Sequence, residues 1–117
     1  MWFSSAGLKV YLVVGVTDMR KSVNGLSILV SEVFDLDPFS GHLFIFSNRR
    51  RNILKILYYD RNGFCLWYKR LEKSVFRWPK DESEILEVGK VELFYLLQGL
   101  DVNQPLSHVG EKYDSIY

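Results

Sequence analysis

Apolar residues occur in two patterns along this chain, which predict a helix in the first third and strands in the middle. The run from Leu8 to Val14 is rich in β-branched and aromatic residues and ends at Gly15, so it predicts a first strand. Beyond it, Thr17 or Asp18 is expected to cap a helix whose apolar positions recur at intervals of three and four. These positions are Met19, Val23, Leu26, Val30, Val33 and Phe34.

Three further strands are predicted in the middle of the chain. They cover His42 to Ser47, Ile53 to Asp60 and Phe64 to Leu71, which are rich in aromatic and β-branched residues. The polar segments Asn48 to Asn52 and Arg61 to Gly63 join them. The second of these contains Asn-Gly, a strong signal for a tight hairpin turn.

Shorter elements complete the pattern. Val75 to Trp78 predicts a short fourth strand of this region, which Pro79 ends. Ile85 to Val88 is expected to add an edge strand, and Lys90 to Gln98 a second helix closed by Gly99. The pattern therefore predicts an α+β fold, with an antiparallel or mixed sheet of about five strands and two helices packed against it.

The length of 117 residues fits one domain with a single core. We expect residues 1–105 to form this domain. Residues 106–117 follow no periodic pattern and are expected to form a flexible C-terminal tail. The apolar run Val10 to Val16 is too short to span a bilayer and follows no basic segment, so a cytoplasmic location is expected.

Charge is distributed very unevenly along the chain. Residues 38–80 hold ten Lys and Arg against two acids, a net charge of +8, whereas residues 81–117 have a net charge of −6. Aromatic residues lie among the cations, where they suit either a core or the stacking of bases. A basic segment of this kind favours an anionic partner, with nucleic acid as the first candidate.

The candidate nucleic-acid-binding residues are cations of the predicted hairpins. Arg49, Arg50 and Arg51 form a turn with no acid within eight residues, and guanidinium groups suit phosphate; a solvated turn is the competing interpretation. In the second hairpin, Lys55 is expected to face Arg70 or Lys69, depending on the turn length, so either register concentrates positive charge. The full set is Arg20, Arg49, Arg50, Arg51, Lys55, Lys69, Arg70 and Lys73.

Residues for catalysis or metal binding are not evident. The single Cys65 and the isolated His42 and His108 give no zinc set, and the carboxylates are dispersed. There is no glycine-rich phosphate loop and no nucleophile motif. We therefore predict no catalytic residue, no metal site and no cofactor. A small metal-independent nuclease built from Arg, Tyr and Lys needs no motif and stays an alternative.

The second predicted helix is apolar around most of its circumference. One face is expected to pack on the sheet, and the remainder belongs either to the core or to an interface with another protein or a second copy. Leu93, Phe94 and Leu97 are the candidate protein-interaction residues.

Several sequence stretches carry a family resemblance. They are VYLVVGVTDMRKSVNGL from Val10 to Leu26, DPFSGHLFIFSNRRRNILKILYYDRNGFCLWYKRLEKSVFRWP from Asp37 to Pro79, and ELFYLLQGLD from Glu92 to Asp101. With its DMR, DPFSG, KRLE and RWP elements in this order, the chain resembles the TnpB accessory proteins of the insertion-sequence-sixty-six family of bacterial transposable elements.

The resemblance implies a protein that acts beside the transposase in transposition, without catalytic residues of its own. The cognate transposase and DNA of the element ends are the implied partners. The leading hypothesis is a non-catalytic factor that binds element-end DNA, the transposase, or both, through the basic hairpins. The alternative is a protein–protein adaptor that docks the transposase through the second helix and the acidic C-terminal segment.

Overall fold

Five strands and two helices form the fold over residues 7–99, the part of the chain that the computed structural model describes. The strands are β1 (Val10–Val13), β2 (Leu43–Ser47), β3 (Ile53–Asp60), β4 (Gly63–Arg70) and β5 (Ile85–Val88). The helices are α1 (Val23–Ile28), which continues as a π-helical segment (Leu29–Val33), and α2 (Lys90–Leu97). The predicted tail, 106–117, lies outside the described residues.

The strands form one mixed sheet in the order β4-β3-β2-β1-β5. β1 and β2 run parallel, with Val10 opposite Leu43, and every other neighbouring pair is antiparallel. All five residues of the central strand β2 are buried, as expected for a strand covered on both faces. The α+β fold with a five-stranded mixed sheet is therefore confirmed, and so is the edge strand β5.

The two faces of the sheet bury separate cores, because side chains alternate across each strand. On one face, Leu26 and Val30 of the first helix pack against Phe44, Phe46 and Leu57. On the other face, α2 and the segment between β4 and β5 cover the sheet. The residues buried there include Leu12, Ile45, Ile56, Phe76, Trp78, Leu93 and Leu96. The predicted packing of the first helix on the sheet is confirmed.

The first helix begins later than the sequence predicted. Its N-cap is Ser22, so the prediction of a cap at Thr17 or Asp18 was wrong. Asp18 instead accepts hydrogen bonds from the backbone N–H and the guanidinium of Arg20, which hold residues 18–20 in a local turn. Val33, predicted on the buried stripe, is exposed because the helix widens to π geometry over its last turn.

The predicted strand from Val75 to Trp78 is not formed. The backbone N–H of Phe76 donates to the carbonyl of Arg51, but that of Trp78 turns back to Phe76 itself, so no ladder can continue. The segment contributes buried side chains rather than strand pairing. Its composition resembles a strand because Phe76 and Trp78 both belong to the core.

The hairpin between β3 and β4 has a different register from either predicted one. Asp60 lies opposite Gly63, so the two turn residues are Arg61 and Asn62, and Arg61 takes a positive φ of 54°. Lys55 therefore faces Tyr68 rather than Arg70 or Lys69. The predicted opposition of like charges across this hairpin was wrong, because the turn is centred one residue before the Asn-Gly pair.

Candidate nucleic-acid interface

The predicted cations gather at one end of the sheet. Because β1 and β2 are parallel and β3 and β4 antiparallel to their neighbours, β1, β2 and β4 end where β3 begins. The turn Asn48 to Asn52, the loop after β4 and the loop before α1 all leave the sheet there. All eight predicted residues lie in or next to these segments, yet their side chains have very different environments.

Arg51 is part of the folded interior. It occupies a left-handed backbone conformation with a φ of 57°, and its Nη2 donates to the carbonyl oxygen of Val14 at 2.9 Å. Its guanidinium carbon lies 5.0 Å from the ring centre of Trp78, a cation–π contact. Arg51 therefore joins the β2–β3 turn to the end of β1 rather than extending into solvent.

Lys55 and Lys69 are also engaged by the fold. The ammonium of Lys55 donates to the carbonyl oxygens of Met19 at 2.8 Å and Lys21 at 2.9 Å, which fixes the loop before α1. The ammonium of Lys69 donates to the carbonyl of Leu97 at 3.0 Å. That carbonyl lies at the end of α2, where a positive charge is favourable. Both lysines are only partly exposed.

Two of the predicted arginines form ion pairs at the surface. Arg20 pairs with Asp18 at 2.6 Å, and Arg70 pairs with Glu72 at 2.9 Å. The hydrogen bonds from Arg20 hold the pKa of the Asp18 carboxyl far below its ordinary value. Both pairs are exposed to water, which screens them, so each contributes little to the stability of the fold.

The remaining three residues, Arg49, Arg50 and Lys73, are exposed and form no hydrogen bond or ion pair with another described residue. Two backbone hydrogen bonds join the segments that carry them: the amides of Leu71 and Phe76 donate to the carbonyls of Asn52 and Arg51 at 2.8 and 2.7 Å. This places the loop that carries Lys73 beside the arginine turn. With Arg70, the last residue of β4, these residues form a surface that we name the basic end: Arg49, Arg50, Arg70 and Lys73.

Two asparagines that the sequence interpretation did not single out shape the arginine turn. Asn48 Oδ1 accepts hydrogen bonds from the backbone N–H groups of Asn52 and Ile53, both at 3.1 Å. Its Nδ2 donates to Asn52 Oδ1 at 2.7 Å. The signal was an asparagine on each side of three arginines, a residue type that bonds to nearby backbone in turns. We name Asn48 and Asn52 the clamp. Together with Arg51, the clamp holds the turn in which Arg49 and Arg50 are exposed.

Most of the chain matches one known protein family. The model of the family described as IS66 Orf2 like protein matches residues 8–107, which include the sheet, both helices and the basic end. The chain belongs to this family. The resemblance seen in the sequence is confirmed, and membership implies an accessory role in transposition.

Two relatives of this family member come from Sinorhizobium fredii. The uncharacterized protein y4hO is 37% identical over 102 residues, which cover 87% of this chain and 89% of that protein. The uncharacterized protein y4jC is 33% identical over 97 residues, or 83% of each chain. No solved structure matches the chain.

The candidate protein-interaction residues of α2 have different exposures. Leu93 is buried in the core and Leu97 packs partly against it, so neither presents a free apolar surface. Phe94 is 57% exposed, and Val91, one turn before it, is 58% exposed. The exposed apolar residues of α2 are therefore Val91 and Phe94, of which only Phe94 belongs to the predicted set.

Groups that could support metal binding or catalysis are sparse in residues 7–99. That part of the chain brings no three His, Cys, Asp or Glu side chains together as a metal site. Burial, and the neighbouring Cys65 thiol, raise the pKa of Tyr58 above its ordinary value, which makes it a poorer proton donor. No helix within the same residues is long and apolar enough to cross a bilayer.

Proposed function

We propose that this protein is a non-catalytic accessory factor that binds DNA of the element ends through its basic end. The observation that carries the proposal is the arginine turn. Arg49 and Arg50 are exposed and have no partner among the described residues, while Asn48 and Arg51 fix the backbone that presents them. Guanidinium groups held in this way suit phosphate oxygens, which they bind through paired N–H donors.

The charges around the turn support the same partner. Lys73 is exposed beside the turn, and Arg70 is neutralised only by the water-exposed Glu72. A phosphate that replaces this carboxylate gains the other cations as well, whereas Glu72 serves Arg70 alone. Three of the predicted cations, Arg51, Lys55 and Lys69, donate to backbone carbonyls within the fold. We therefore expect the basic end, with its four cations, to contact about three to four phosphates.

Contacts of this number give weak binding that does not depend on base sequence. Phosphate contacts fix position but carry little sequence information, and nonspecific affinities at physiological salt lie at about 1–100 μM. Such a factor increases the local concentration of DNA beside the transposase, and base readout is left to that enzyme.

Fluorescence anisotropy with a labelled duplex tests the proposal. The double variant Arg49→Gln/Arg50→Gln removes two charges from the basic end. The matched control, Lys9→Gln/Arg61→Gln, removes two exposed charges from the opposite end of the sheet. We expect the first variant to lose about tenfold in affinity at low salt and the control less than about twofold, since each phosphate contact contributes separately. Equal losses in the two variants would refute a role for this surface.

A second function is supported by α2. Val91 and Phe94 leave an apolar strip exposed on a helix whose other face is buried, which is the usual form of a helix-docking surface. In this alternative the protein is an adaptor that docks the transposase through α2 and the acidic C-terminal segment, residues 81–117. A pull-down with the transposase, in which Phe94→Ser abolishes capture while Arg49→Gln/Arg50→Gln does not, would favour the adaptor.

A further inference from the structure

The outer edge of β4 is the longest unpaired strand edge in the described part of the chain. β4 and β5 are the two outer strands of the sheet, and β4 has eight residues where β5 has four. An open edge presents a row of backbone donors and acceptors to any other extended chain. Whether β4 can pair in this way depends on which of its backbone groups point outward and on how they are protected.

The outward groups follow from one hydrogen bond beyond the strand. The amide of Leu71 donates to the carbonyl of Asn52 on the β3 side at 2.8 Å. Because backbone groups alternate sides along an antiparallel strand, the residues with even numbers point away from β3. These residues are Phe64, Leu66, Tyr68 and Arg70. Within residues 7–99, no backbone hydrogen bond uses the outward N–H and C=O groups of these four residues.

The usual protections of a sheet edge are weak on β4. It contains no proline, and its pairing with β3 runs from Gly63 to Arg70 without a bulge. Its two cations do not guard the edge with free charge, because Lys69 donates to the carbonyl of Leu97 at the end of α2 and Arg70 pairs with Glu72. β5 is protected in the ordinary way, by its short length and by the acid Glu87 in its ladder.

We propose that β4 pairs with β4 of a second copy, antiparallel about a two-fold axis at Trp67. In this register the outward residues meet in complementary pairs. Phe64 lies opposite Arg70 of the second copy, and Leu66 lies opposite Tyr68. All four outward residues of each copy then exchange both backbone bonds, about eight in total. Because Lys69 faces Cys65 of the second copy, no cation opposes a cation.

Other symmetric registers are poorer, which is why a second copy fits this edge. A shift of the two-fold axis to Lys69 would place the two Lys69 side chains opposite each other and leave Phe64 and Leu66 unpaired. Like charges directly opposite destabilise a strand pair. An axis at Leu66 or Tyr68 would pair three of the four outward residues, and an axis at Cys65 only two. The edge is therefore fully self-complementary in one register, as a closed two-fold interface requires. The resulting dimer has one continuous sheet with a basic end at each of two opposite corners.

Dimerisation through β4 does not require DNA, and two measurements test it. Sedimentation of the full chain should show the mass doubling from 13.7 kDa as concentration rises through about 10–100 μM, the range expected for an interface of this small size. Hydrogen exchange should show that the amides of Phe64, Leu66, Tyr68 and Arg70 become protected over the same range. The amides of β5 should not change.

Substitutions at Tyr68 provide the matched variants, because its side chain is 51% exposed and its amide points outward. Tyr68→Pro removes an edge donor without breaking a bond to β3, and Tyr68→Lys leaves the backbone unchanged but places a charge opposite Leu66. Tyr68→Thr keeps both the amide and the strand preference. We expect the proline and lysine variants to sediment as monomers at least tenfold above the wild-type midpoint, and the threonine variant to dimerise.

Two results would overturn the proposal of a dimer through β4. A wild-type chain that stays monomeric to about 1 mM overturns the proposal, even if its edge amides become protected on addition of another protein. A dimer in which the four amides stay unprotected also overturns it, because association then uses another surface. If Tyr68→Pro fails to fold, the lysine and threonine pair alone decides the result.

Discussion

The guanidinium of Arg51 lies 5.0 Å from the ring centre of Trp78, and both side chains donate to the carbonyl oxygen of Val14. One carbonyl at the end of β1 thus receives hydrogen bonds from the arginine turn and from the segment after β4. This relationship divides three consecutive arginines into one that holds the fold and two, Arg49 and Arg50, that remain exposed.

Arg51→Ala should destabilise the protein, because it removes the hydrogen bond to Val14 and the contact with Trp78. The expected loss in free energy of unfolding is about 2–3 kcal/mol, from one charge-assisted hydrogen bond and one cation–π contact. Urea denaturation followed by circular dichroism measures it. Arg49→Ala is the control and should change the free energy by less than about 0.5 kcal/mol. Similar values for the two variants would show that Arg51 has no structural role.

Lys55→Met should also weaken the fold. The methionine keeps most of the apolar stem but leaves the carbonyls of Met19 and Lys21 without their shared donor. We expect a loss of about 1–2 kcal/mol in the free energy of unfolding, together with faster amide exchange in residues 18–22. Lys9→Met, at an exposed position, should leave both unchanged. Unchanged exchange in Lys55→Met would contradict the proposed role in holding this loop.

Asp18 should make stability depend on pH in the acid range. Its pKa in the folded protein is lowered from 3.8, so the folded state binds the proton less readily than the unfolded state. The stabilisation is therefore fully present above pH 3.8 and is lost as the pH falls below that value toward the folded pKa. Asp18→Asn should be less stable than wild type at pH 6, and the difference should shrink at pH 3. A difference that is constant with pH would contradict the Asp18–Arg20 pairing.

Asn48→Ala should lower DNA affinity without removing any charge. Without Asn48 Oδ1, the amides of Asn52 and Ile53 lose their acceptor and the turn no longer holds Arg49 and Arg50 in one arrangement. We expect affinity to fall about threefold to fivefold while the salt dependence stays as in wild type, since the number of phosphate contacts is unchanged. Asn24→Ala is the control, because it removes an exposed asparagine side chain that forms no hydrogen bond within residues 7–99, and it should bind DNA as the wild type does. A fall in salt dependence in Asn48→Ala would mean that the clamp does more than position the arginines.

Strand positions could be predicted from the sequence because they depend on local composition. β3 has the bounds predicted for it, since its apolar and aromatic residues end sharply at Asn52 and Arg61. The start of α1 was missed because Asp18 bonds to Arg20 instead of capping a helix. That competition between two local uses of one carboxylate is not visible in a pattern of apolar positions.

The sequence could not predict which cations bond within the fold and which are exposed, because the acceptors are distant in sequence. Lys55 bonds to a carbonyl 36 residues away, and Arg51 to one 37 residues away. Backbone carbonyls have no sequence signature, so an engaged lysine and an exposed one look alike before the fold is known. The excess of positive charge was evident from the sequence, but only the fold separates Arg49 and Arg50 from Arg51.

The most direct test of DNA binding through the basic end is the salt dependence of duplex affinity for the full chain. For the wild type we expect log K against log salt to have a slope of about −3 to −4, whether the duplex carries an element-end or a scrambled sequence. For Arg49→Gln/Arg50→Gln we expect a slope of about −1 to −2, and for Lys9→Gln/Arg61→Gln the wild-type slope. An unchanged slope and affinity in the Arg49/Arg50 variant, or no binding by the folded wild type at low salt, would contradict the proposal and favour docking through α2.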